Sequence, residues 1–393
     1  MSGEPAPAAQ VPSEAESEEH RAGWFELFFD LVFVVTVAVL AQGLHGNPSA
    51  ADFGTFLVLF FPAWWAWANL MVTVNVLGSG VPRIQAMLLG AMPGLGLMAA
   101  AAPDGLGNRA WAYALGAAWV RLVFFVIWWG QVRRPDEVLP QWRPLLYGLV
   151  PALLWAVSAV VPGPGRFVLW GAAMALEVAL LAITSDPSAV LYEQLSAEHL
   201  VERISLFVVI VLGESVFTVV ATLAGHFVRA SALAALLGFV VVAELAMVFF
   251  LWGTTAAARG LDRAQAGRAN RAIRDTVMYL PFVLIAGITV LSGALGTAVA
   301  EPVHHLPPGA RWALCGGVLA FYTANAAIAL RYGDPVRSVF GWYGPCLLFV
   351  LVGLVPASVW LPAWAAVGVA AAVVLAMAKL AKYRIRRGLH SLP

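Results

Sequence analysis

The sequence predicts an all-α fold, a polytopic membrane helix bundle of about twelve spans built as two parallel six-span repeats. Three observations predict it. First, 61% of the 393 residues are hydrophobic and only 11% are charged, against about 25% charged in soluble globular domains. Second, the apolar residues fall into runs that match the ~20 residues a helix needs to cross ~30 Å of hydrocarbon, with Lys and Arg gathered in alternate connections. Third, short motifs recur at a slowly growing offset along the chain.

Residues 1–21 are expected to be a disordered acidic tail, because Met1 to His20 is rich in Ala, Pro, Ser and Glu and holds no Lys or Arg. A signal peptide would carry basic residues there. The first apolar run is therefore expected to stay in the membrane. The spans that follow are expected near 22–44, 53–76, 84–102, 110–130, 145–161, 166–184, 202–224, 231–256, 276–298, 311–331, 339–356 and 362–381. With the N-terminus inside, alternate connections hold seventeen Lys and Arg, from Arg21 and Arg83 to Arg387, and the opposite ones only Arg109, Arg166, Arg229 and Arg311. This asymmetry predicts both termini cytoplasmic in a cell inner membrane, and so an even number of spans. The basic tail 382–393 suits attraction to anionic lipid or a plain stop-transfer flank.

The repeat is expected from three further matches. Asp30-x-Val32-Phe33-x-Val35 aligns with Glu214-x-Val216-Phe217-x-Val219 at an offset of 184, Trp64 to Asn69 with Phe249 to Thr254 at 185, and Trp111 and Gly116 with Trp312 and Gly317 at 201. An offset that only grows is what insertions in a second copy produce. Two halves, 22–190 and 191–381, would each begin on the same side and be related by an axis along the membrane normal.

The candidate functional residues are the acids inside apolar runs. Asp30, Glu177, Glu214 and Glu244 lie within expected spans and Glu26 near an edge, against one deep base, Arg121. A charge at the bilayer centre costs at least about 2.5–3.5 kcal/mol, so such groups face the bundle interior or water. One guanidinium cannot neutralise four carboxylates. Some must carry a proton or meet a bound cation or other donors. At about 100° per residue, His199 and Arg203 fall ~40° apart and Glu214 within ~20° of Arg203, so one stripe runs from an interfacial His199, Glu202 and Arg203 towards mid-membrane. A polar pathway and an interfacial cap with a structural hydrogen bond both fit that stripe.

Some function classes are not signalled. A net charge of +1 argues for no nucleic acid. Cys315 and Cys346 each read as a small buried hydrophobe, and no cofactor, metal, diphosphate or nucleophile motif is present. The expected partners are the lipid bilayer and a small ion or amphiphilic ligand. Trp64, Trp65, Trp67, Trp128 and Trp129 read as interfacial belt or core, and Asn69, Thr73 and Asn75 as cavity lining or as links between helices.

Two stretches carry a family resemblance. Glu26-Leu27-Phe28-Phe29-Asp30-Leu31-Val32-Phe33, and His199-x-x-Glu202-Arg203 continuing to Phe207, Ile210 and Leu212-Gly213-Glu214, resemble the bacterial low temperature requirement A (LtrA) family. Ser205 stands where that family's pattern has Gly. The resemblance implies a multi-span inner-membrane protein linked to growth in the cold and supplies no mechanism. A weaker likeness, to endolysosomal potassium channels, keeps Phe28, Asp30 and Phe33 but has Trp24 and Phe29 in place of that family's Arg and Ser. The expected function is transport or channel-like conduction of a small ion, proton or amphiphile through Asp30 and Glu214. A membrane enzyme acting on a lipid or isoprenoid with a carboxylic general acid is the alternative.

Overall fold

The computed structural model describes residues 24–78, 81–133, 140–184, 192 and 194–387. The expected tail 1–21, Arg134 and the final residues 388–393 of the basic tail lie outside the described residues. Among the described residues, twelve helices are long and apolar enough to cross a bilayer. They are α1 (Trp24–Gln42), α2 (Ala50–Leu77), α3 (Pro82–Asp104), α4 (Ala110–Val132), α5 (Trp142–Val160), α6 (Pro164–Thr184), α7 (Ala197–Gly225), α8 (Arg229–Ala266), α9 (Asn270–Ala300), α10 (Pro308–Arg331), α11 (Val336–Trp360) and α12 (Ala363–Arg386). Helix is the form such segments must take, since hydrocarbon offers no partner to a backbone amide. No strand occurs among the described residues beyond one isolated bridge from His305 to Pro362.

Helix ends are set by local chemistry. Ser49 and Asp52 form a reciprocal capping box at the start of α2, and Ser196 accepts from the His199 amide to start α7. Pro82 and Pro308 open α3 and α10, where a missing amide proton costs nothing. Three π-helical turns, Leu145–Leu149, Asp275–Tyr279 and Phe349–Leu354, each end two residues before a proline: Pro151, Pro281 and Pro356. The proline ring collides with the carbonyl four residues back and cannot bond it, so the helix widens there. A fourth, Phe249–Gly253 in α8, has no such proline.

Successive helices alternate in direction, and hydrogen bonds fix both ends. At the arginine-rich end, Asn75 meets Ser196, Gln265 bonds the Leu195 carbonyl and Arg274 that of Ala182. At the other end, the Gly46 amide bonds Thr297 and the Gly309 amide bonds Asn47. The helix α8 is 38 residues long, about 57 Å at ~1.5 Å per residue, so its last turns with Arg259, Asp262 and Arg263 project beyond the hydrocarbon. The sequence reading ends this span near 256. The polar residues after Thr254 look like a loop by hydropathy and are instead a continuation of the helix.

Lipid-facing helices gain little by burying apolar area, so close backbone approach does much of the packing. A Cβ on Gly94 of α3 would lie 2.9 Å from the Gly116 carbonyl oxygen of α4, and one on Gly317 of α10 would lie 2.7 Å from that of Gly287 in α9. The third and fourth helices of each half thus meet through facing glycines. The helices α2 and α9 are the most enclosed and α6 and α11 the most exposed, which places the centre of the bundle where α1, α2, α7 and α9 meet.

Candidate functional site

At that centre the first helices of the two halves share a charged cluster. Arg203 of α7 donates to Asp30 of α1, Nη2 to Oδ1 at 2.8 Å, and its Nε lies 3.2 Å from Glu26 Oε2. Glu26 and Asp30 are one helical turn apart and so present both carboxylates on one face. All three side chains are at most 1% exposed. A second donor reaches Asp30 from α2, where the Trp67 indole bonds Oδ1 at 2.8 Å. Around the cluster Phe33, Trp64, Trp67 and Phe207 pack ring on ring, with centroids 4.6 Å apart for Trp67 and Phe207 and 5.1 Å for Phe33 and Phe207. These rings exclude water, which strengthens the charge pairing.

Towards the arginine-rich end the cluster continues into His199, whose Nε2 lies 3.4 Å from Glu26 Oε2. Its other nitrogen, Nδ1, lies 3.0 Å from Asn75 Nδ2. The orientation of the Asn75 amide is fixed by backbone groups, because the Ser196 amide donates to Oδ1 at 2.9 Å and Nδ2 donates to the Ser196 carbonyl at 3.1 Å. The group facing Nδ1 is therefore a donor and Nδ1 must accept. This arrangement holds His199 as the neutral tautomer with its proton on Nε2, directed at Glu26. The His199 side chain keeps 24% of its exposure and is the cluster's outlet.

Among the described residues, and without counting His199, two carboxylates face one guanidinium. Asp30 Oδ2 and Arg203 Nη1 have no hydrogen-bond partner among the described residues. Asp30 Oδ2 is therefore an acceptor that could take one proton, while Arg203 Nη1 is a donor.

The sequence reading placed Arg203 and Glu202 at the interface and Glu26 at an edge, with Arg121 as the deep base. Arg203 is also buried, more deeply than Arg121, and Glu26 is buried beside it. Glu202 is half-buried and makes no ion pair or hydrogen bond among the described residues. Arg121 serves a different acid: its Nε and Nη2 bond the two oxygens of Glu177, each at 2.9 Å, under the Trp155 ring. Glu214 is half-buried and, among the described residues, accepts a bond from Thr218 at 3.4 Å.

Asp30 and Glu214 are not brought together. Asp30 is level with Arg203, and Glu214 lies eleven residues further along α7, about 16 Å at ~1.5 Å per residue. The stripe of His199, Arg203 and Glu214 is thus joined at its first two members and not at its third. Trp67, read from the sequence as belt or core, and Asn75, read as cavity lining or a link between helices, are the cluster's neighbours whose partners the sequence does not name. Trp67 sits one turn after Trp64 on a face that is wholly buried, a spacing that marks a shared face without naming its partner.

Comparison with known proteins adds a family. The family model described as bacterial low temperature requirement A protein (LtrA) matches residues 21–379. The uncharacterized protein RA0937 of Rhizobium meliloti (strain 1021) is 26% identical over 213 residues, 52% of this chain and 51% of that protein. The chain thus spans about half the length of the curated relative it matches. No solved structure matches the chain.

Proposed function

The chain belongs to the bacterial low temperature requirement A family of membrane proteins, and on that footing we propose that it is a proton-linked carrier in which Glu26, Asp30, Arg203 and His199 hold the coupling proton. The observation that carries this reading is the grouping, among the described residues, of two buried acids on one guanidinium, with a partly exposed histidine at its edge. Two carboxylates on one guanidinium are costly inside a bundle, and one proton lowers that cost.

The proton route follows from the tautomer. A proton arriving from the arginine-rich end adds to His199 Nδ1, and the proton on Nε2 passes to Glu26 Oε2. The ring is left neutral and must turn before the next cycle. Asn75 blocks Nδ1 while its amide is clasped to Ser196, so proton uptake requires that clasp to open. Because the clasp joins the end of α2 to the start of α7, its opening loosens the two halves at that end. Protonation and access are thereby coupled. In this reading the arginine-rich end is cytoplasmic and the membrane is the cell's inner membrane. The two halves are copies whose operator includes a slide along the bundle axis, since Asp30 and Glu214 differ in depth.

The test uses proteoliposomes enclosing a pH-sensitive dye, to which potassium, sodium, and anionic or cationic amphiphiles are added in turn. At least one class should change the internal pH with the wild-type protein and not with Glu26→Gln. If no class moves protons, the cluster is a structural ion pair and the carrier reading fails.

A further inference from the structure

An open groove of ≈ 410 Å³ runs between α11 and α12 on the outside of the bundle, where Leu348, Phe349 and Val352 are exposed. We propose that it holds one acyl chain of an anionic phospholipid, whose phosphate lies between the basic ends of the two helices. This site is separate from the proton cluster and does not depend on the carrier reading.

Local chemistry makes the groove. The helix α11 widens into its π turn at Phe349–Leu354, and within that turn a Cβ on Gly353 would meet nothing within 4 Å. Across from it α12 offers the short side chains of Ala372 and Ala376. An empty notch forfeits the dispersion contacts of its lining, so hydrocarbon fills it.

Charge decides the head group. Residues 335–393 hold six Lys and Arg and no Asp or Glu. All six sit towards the arginine-rich end, and the opposite end of this hairpin carries the exposed Trp360 and Trp364. Arg384 is spent on Ser338, whose carbonyl it bonds at 2.9 Å. Arg337 and Lys379 are exposed, and their side chains make no ion pair or hydrogen bond among the described residues. Arg387 lies over the Tyr383 ring at 5.1 Å, a contact that uses no N–H donor. At about 100° per residue, Arg337 falls within ~20° of Leu348 and Arg387 within ~20° of Ala376. Each lies about 16 Å beyond the groove along its own helix. Both guanidinium groups thus sit on the groove's face, where their forks match a phosphate.

Depth joins the head to the acyl chain. Tyr383 comes twenty residues after Ala363 in α12, about 30 Å and so one hydrocarbon thickness. Its half-exposed ring belongs at head-group level. One leaflet is half of that thickness, about 15 Å, so an acyl chain that starts beside Tyr383 ends near Val373, inside the groove.

The test uses the full-length protein, stripped of lipid in maltoside detergent and given equimolar dipalmitoyl phosphatidylglycerol and dipalmitoyl phosphatidylcholine. Native mass spectrometry counts the lipid retained. Wild type should keep the anionic lipid over the zwitterionic one by about tenfold. Arg337→Gln combined with Arg387→Gln should erase that preference. Gly353→Leu, which fills the groove, should lose about tenfold in retention of the dipalmitoyl anionic lipid and nothing in that of the dioctanoyl form, whose acyl chains are too short to reach Val373. Should Gly353→Leu not fold, Ala376→Leu fills the same groove from the other wall. Equal retention of the two head groups by wild type, an unchanged preference in the arginine pair, or undiminished retention by the filled groove overturns the proposal. So does a wild-type dimer that Gly353→Leu dissociates, since a second copy would then occupy the groove.

Discussion

Arg203 Nη2 and Asp30 Oδ1 stand 2.8 Å apart across 173 positions of sequence, and this contact ties the first helix of one half to the first helix of the other. Arg203→Met strands two buried carboxylates, a change that costs about 3–5 kcal/mol. Melting of the purified protein should fall accordingly. Adding Asp30→Asn and Glu26→Gln to Arg203→Met should recover most of the loss, since a neutral cluster has no charge left to bury.

The pair of Arg121 and Glu177 predicts a different pattern. Each single replacement, Arg121→Met or Glu177→Gln, leaves a buried partner charged and should destabilise by about 3–5 kcal/mol. Neither should change proton uptake, because the pair is self-neutral and separate from His199. A double-mutant cycle on melting, run beside the proton assay, checks both halves of the statement.

Much of the bundle was legible in the sequence, and the site was legible only in part. Hydropathy and arginine asymmetry report each segment's own preference for lipid or water, and twelve spans follow from that local property. Pairing is not local. Nothing near Arg203 says that its partners are Glu26 and Asp30, so an arginine close to a helix start read as interfacial. The repeat of Asp30 as Glu214 suggested a pair, but α1 is displaced along α7: the ring of Phe33 meets that of Phe207, and Leu44 and Thr218 both touch α9 within one turn, at Gly293 and Gly296. Asn75 was visible as a polar residue in an apolar run, and its clasp on Ser196 needed the fold.

Glycine contacts predict where the bundle tolerates no side chain. Gly317→Val should force α9 and α10 apart, because even a Cβ there lies 2.7 Å from a backbone oxygen. A loss of about 1–3 kcal/mol is expected. Gly316→Val, one position away with nothing within 4 Å, should melt close to wild type and serves as the control.

His45, in the connection between α1 and α2, predicts an acid sensitivity. Burial holds its pKa below the ordinary 6.5, and its Nε2 has no partner among the described residues. A base with a lowered folded pKa binds fewer protons folded than unfolded, so its contribution is complete above about 6.5 and declines as pH falls below that value. Melting of wild type should drop below pH ~6.5 more steeply than melting of His45→Gln. Parallel curves would show that His45 charges freely in the folded state.

The central claim, that the cluster exchanges one proton through His199, is tested most directly by infrared titration of the protein in nanodiscs, read at the protonated carboxylic acid band. Wild type should show one such group that gains and loses its proton as pH is stepped. The titrating band should be missing in Glu26→Gln, and in His199→Gln it should still reach the same end point but more slowly. An unchanged titrating band in Glu26→Gln would contradict the account, since the proton would then reside on another acid and the His199 route would lead nowhere.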